Sequence, residues 1–150
     1  MDDLMAKLGA ALTAAPEERK PALTALWAEI DEHDHAARCI AAHYIADAQD
    51  DLGAEVAWDE TALAEVAHVS DAELQAIHPT LTVAGFLPSL HLNLADGYRR
   101  QGRFTEAADR LQTSREFDFA LEGAADPAYA AGIRDALEGV AAKIAAGDPT

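Results

Sequence analysis

Through nearly the whole chain, apolar residues recur at spacings of three and four, and nowhere do they alternate with polar ones long enough to make a strand. Leu23, Leu26, Trp27 and Ile30 show the pattern on one segment. A helix turns every 3.6 residues and a strand every two, so this spacing admits helices and excludes a sheet as the organising element. Abundant alanine and few β-branched residues point the same way. The expected fold class is therefore all-α. At 150 residues the chain suits a single domain, 1–150.

Local signals divide the chain into eight expected helices. The first covers about 3–14. Pro16, followed by Glu17 and Glu18, suits the first turn of the second, where a proline forfeits no hydrogen bond and acids meet the positive end of the dipole. A third helix over about 34–50 should end at Gly53, and a fourth should follow over about 54–67. Ser70 and Glu73 form a capping box for a short fifth helix ahead of Pro79. Residues 78–88 read as a long connection, and the sixth helix as about 87–101. Gly102 turns the chain into the seventh, at about 104–117. Asp126 and Pro127 begin the eighth, at about 126–146, and the tail Gly147-Asp148-Pro149-Thr150 should fray.

A formal net charge of −16 disfavours a nucleic-acid backbone or an anionic membrane as partner, because both reward clustered Lys and Arg. The charge is unevenly spread. From Cys39 to Tyr98 there is no Lys or Arg and there are ten acids; Arg99, Arg100, Arg103, Arg110 and Arg115 follow within one short stretch. Two readings are open: solvated helix faces that neutralise one another, or an acidic groove beside a basic rim. One cysteine, Cys39, excludes an internal disulfide and makes a reducing, cytoplasmic setting the expectation.

One short phrase occurs twice. Residues 45–53 read IADAQDDLG and residues 94–102 read LADGYRRQG, 49 positions apart. Beyond the second copy the order Leu94, Ala95, Tyr98, Gly102, Phe104, Ala107 resembles the tetratricopeptide repeat, with His91 where that family usually has Trp. The clearest repeat is 87–117 and a weaker one is 34–67, with helix 126–146 as a C-terminal cap. The family period is about 34 residues, so the longer spacing here requires an inserted element. The resemblance implies antiparallel helical hairpins stacked as a short superhelical array, with the first helix of each repeat lining a groove. It would place Ile40, His43, Tyr44, Asp47, Asp50 and Asp51 on one exposed stripe, and Ser89, Leu92, Asn93, Asp96, Arg99 and Arg100 on another. Asn93 falls where some family members hold a peptide backbone; the lysines that accompany it there are missing. An extended protein or peptide partner with basic side chains, facing Asp47, Asp50 and Asp96, is the implied ligand. The alternative for Asp47 and Asp96 is pairing with Arg99, Arg100 or helix caps within the fold.

Chemistry-bearing patterns are few. His35, Cys39, His43 and Asp47 are spaced by four, but each such step rises about 6 Å along a helix, so one ion could take only neighbours such as Cys39 and His43. Glu32–His35 and Glu65–His68 are both Glu-x-x-His, the pairing of di-iron carboxylate bundles, which makes a helical metalloprotein the alternative function. Ser70, Ser89 and Ser114 lack a nucleophile elbow, and no Gly-rich phosphate loop occurs. The reading reached is a non-catalytic binding module without cofactor. A subunit that self-associates through apolar residues of the first and eighth helices is a third reading.

Overall fold

Side chains at helix ends decide most of the boundaries. A computed structural model describes residues 3–122 and 126–150, and all regular secondary structure among them is helical. The chain divides into two compact units, one extending to Leu81 and the other beginning at Thr82.

The first unit holds α1 (Leu4–Thr13), α2 (Pro16–Glu29), α3 (His35–Asp47), α4 (Leu52–Val66) and α5 (Asp71–Ile77). Pro16 opens α2 as expected, and Ser70 and Glu73 close a reciprocal capping box on α5. Asp34 caps α3 by accepting from the Ala37 N–H at 3.1 Å. α3 is the centre of this unit and packs against each of the other four helices. Ala36, Ala37, Cys39, Ile40, Ala41, Ala42, Ile45 and Ala46 are all buried. A helix apolar on most of its circumference is buried on most of it, and the alanines let neighbouring backbones come close.

α3 stops at Asp47, three residues short of the expected end. The cause lies beyond it. Asp51 accepts from the Ala54 N–H at 2.8 Å and starts α4, while the Gln49 amide donates to the Ile45 carbonyl at 3.0 Å and finishes α3. Gly53 therefore does not terminate a helix; it is the second residue of α4.

The second unit holds α6 (Val83–Arg100), α7 (Phe104–Glu116), α8 (Asp118–Glu122) and α9 (Pro127–Ala145). α6 is its centre, packed by the other three. It begins four residues earlier than expected, because Thr82 accepts from the Gly85 N–H at 3.0 Å. A Cβ on residue 85 would lie 2.8 Å from the Thr82 hydroxyl, so glycine makes this cap fit. Pro88 then sits inside the helix and removes one backbone donor. α6 ends in a Schellman motif: the Arg103 N–H reaches the Tyr98 carbonyl at 2.8 Å, the Gly102 N–H reaches Arg99, and Gly102 takes φ 77°. The same motif ends α9 at Gly147, φ 62°. The short α8 had no sequence signal strong enough to separate it from α7.

Candidate functional site

The two helices that carry the repeated phrase are the central helices of their units, and this changes the standing of the expected groove residues. On α3, Ile40 is buried in the core, His43 and Tyr44 are half-buried, and Asp47 is exposed. Asp50 is exposed in the turn after the helix, and Asp51 is an N-cap rather than a groove acid. The His43 and Tyr44 rings meet edge to face at 5.6 Å. Burial lowers the His43 pKa, with Asp47 opposing it, so this imidazole is neutral over more of the pH range than a free one.

On α6, Ser89, Leu92 and Arg99 were expected on an exposed stripe and are buried. The reason is α9. Leu92 and Ala95 form a core with Leu111 and Leu137, flanked by Ile133, Val140, Ala141 and Ile144 of α9. Burying a leucine side chain contributes about 2 kcal/mol, so Leu92 serves the core rather than a partner. The Ser89 hydroxyl donates to the Phe86 carbonyl at 3.0 Å. Arg99 donates to Asp96 at 2.7 Å and to the Asp148 carbonyl at 3.0 Å, which holds the tail that had been expected to fray. Arg100 takes the other Asp96 oxygen at 3.0 Å. Asp96 thus bridges Arg99 and Arg100 and offsets one of their two positive charges. Asn93 remains half-buried.

The other arginines of the basic stretch are also engaged within this unit. Arg103 pairs with Glu106 and stacks 4.1 Å over the Tyr98 ring, and Arg115 reaches Glu138 at 3.1 Å. Arg110 donates to His91 Nδ1 at 3.3 Å. Burial, reinforced by the Arg110 charge, pushes the His91 pKa down to about 4. His91 is therefore a neutral acceptor at pH 7.

Of the four residues in the metal alternative, three come together. His35 Nδ1 lies 2.6 Å from Glu65 and its ring stands 4.9 Å from that of His68, while Glu32 is exposed beside His33. An ionised carboxylate only accepts, so Nδ1 carries the proton. The second Glu65 oxygen accepts from Arg38 at 2.9 Å. Burial alone would raise the Glu65 pKa, but the bonds from His35 and Arg38 outweigh it and hold the carboxylate below its usual range. Glu65 is thus already paired with one cationic side chain. Among the described residues no group of three or more His, Cys, Asp or Glu is disposed to hold a metal. Cys39 is fully buried, and burial pushes its thiol up to about 12, so it is no nucleophile at neutral pH. The Ser114 hydroxyl is committed to the Pro88 carbonyl at 2.8 Å.

Sequence reasoning did not single out one concave site in the first unit. Leu23, Trp27, Ile45 and Trp58 wall a cavity of about 110 Å³, and Lys20, Thr24 and Gln49 stand at its rim. The two tryptophans, the only ones in the chain, meet edge to face at 4.9 Å, and both are half-buried. The Arg38 guanidinium stacks 4.3 Å from the Trp27 ring centre and is itself held by Glu65. Lys20, Leu23, Thr24 and Trp27 share one helical face by their spacing, which the sequence does display. That Trp58, on another helix, would come to that face had no local signal.

Large apolar residues are exposed at Met5 on α1, Phe119 on α8 and Tyr129 on α9. Among the described residues no helix is long and apolar enough to cross a membrane. A scan against protein-family models and searches of curated proteins and of solved structures find no match for this chain.

Proposed function

We propose that the chain is a non-catalytic helical module of tetratricopeptide-like build that binds a protein or peptide partner, and that the C-terminal end of α3 is its principal contact. One observation carries this reading: of the residues expected to line a groove, Tyr44, Asp47 and Asp50 remain accessible there, whereas those of α6 are largely spent on packing and internal ion pairs. A half-buried aromatic ring supplies apolar contact. Two exposed carboxylates at the negative end of a helix dipole favour basic side chains. Among the described residues no ion pair engages Asp47 or Asp50.

Affinity capture from the native cell extract, with the intact chain as bait and an Asp47→Lys/Asp50→Lys variant beside it, tests the proposal. Exposed pairs contribute up to about 1 kcal/mol each, so the variant should hold the same partner roughly tenfold more weakly while keeping its helical circular dichroism. Equal capture by both proteins rejects the acidic surface, and an empty bait rejects the module. The metalloprotein alternative is separated by elemental analysis, since stoichiometric iron or zinc has no place in the binding reading.

A further inference from the structure

The tryptophan-walled cavity is too small for a whole ligand and well sized for part of one. Sites for drug-sized ligands occupy about 300–1,000 Å³, and an engineered cavity of about 150 Å³ accommodates benzene. At about 110 Å³ this one accepts a single branched or unbranched aliphatic side chain. Its walls are of the type that dominates interface energetics: tryptophan, held in place and half-exposed. Trp58 meets the Trp27 ring edge to face and Arg38 stacks on it; the Glu65 carboxylate fixes that guanidinium, and His35 fixes the carboxylate. A wall braced by this chain of contacts loses little freedom when it is occupied.

Charge narrows the occupant further. Lys20, an exposed cation in a unit otherwise rich in acids, lines the cavity. Resting on the binding reading above, we infer that this cavity is the anchor pocket for the partner. It takes one Leu, Ile or Met side chain from a segment that carries an acid facing Lys20.

Panning a phage-displayed library of random linear peptides on the immobilised intact protein tests this inference. Enriched sequences should share an aliphatic residue with an acid close to it along the peptide. Because both tryptophans line the pocket, synthetic copies of those peptides should shift the intrinsic tryptophan emission. Replacing the aliphatic residue by Ala should weaken binding about tenfold or more, as expected for losing one buried side chain. Thr24→Phe, a change at an exposed rim position that obstructs the mouth, should do the same, and Lys20→Glu should turn the preferred acid into a base. Circular dichroism melting of both variants confirms that they fold. Peptides that bind with no change on Thr24→Phe overturn the anchor pocket and leave the binding module standing. A library with no enrichment overturns both.

Discussion

His91 shows how a single side chain ties packing to solution behaviour. It is buried on α6, accepts from Arg110, and has its pKa pushed down to about 4 by burial and by that positive charge. Above its ordinary value of 6.5 both folded and unfolded states hold it neutral, so this residue adds no pH dependence to folding there. Between that value and about 4 the unfolded chain takes up a proton that the folded chain refuses, and stability falls by up to about 1.4 kcal/mol per pH unit. Below about 4 this contribution levels off. His43, also lowered by burial, acts in the same direction. Urea unfolding followed between pH 7 and pH 4 should show the fall, and His91→Gln should reduce it, because an amide oxygen can still accept from Arg110 without titrating. A wild-type curve no steeper than the variant's would mean that His91 is solvated after all.

At the scale of elements, the two copies of the repeated phrase look alike in letters and differ in role. Gly102 occupies the left-handed position of a Schellman motif, whereas Gly53 sits in the first turn of α4 with a helical neighbourhood. Gly102→Ala should cost about 1 kcal/mol because a Cβ is disfavoured at φ 77°. Gly53→Ala should stay within about 0.5 kcal/mol, since gained helix propensity is offset by pressure on the Asp51 carboxylate, 3.2 Å from the new Cβ. The acids of the first copy divide in the same way. Asp51→Ala removes a cap and should cost about 1 kcal/mol in thermal or urea unfolding, while Asp50→Ala should leave stability unchanged. Equal costs for the two glycines, or for the two aspartates, would contradict these assignments. Capping boxes and N1 prolines were legible in the sequence because their partners lie within three residues. The end of α3 and the start of α6 were not, because Gly53 reads as a helix stop and residues 78–88 as a connection, although Asp51 and Thr82 cap the helices that begin there.

Over the whole molecule, charge outweighs any single contact. A net −16 on 150 residues repels itself in the compact state. Added sodium chloride screens that repulsion, so the melting temperature should rise from low to physiological ionic strength; a falling melting temperature would instead give the internal ion pairs the larger share. Those pairs are numerous but mostly exposed, with Lys7–Glu29, Arg115–Glu138 and Arg134–Asp118 all near the surface. Exposed pairs contribute little each, which is why repulsion is expected to win.

The sequence alone determined that the chain is helical, about where eight of the nine helices among the described residues lie, and which residues start several of them, because periodicity and capping are set by neighbours a few positions apart. It also marked α3 and α6, through the repeated phrase, as corresponding helices. Tertiary packing decided what those helices do: an apolar stripe reads the same whether it faces a groove or a covering helix, and α9 over α6 turned Leu92 inward. The meeting of Trp27 with Trp58 was likewise decided by packing, since burial against a distant segment leaves no mark in the local order of residues.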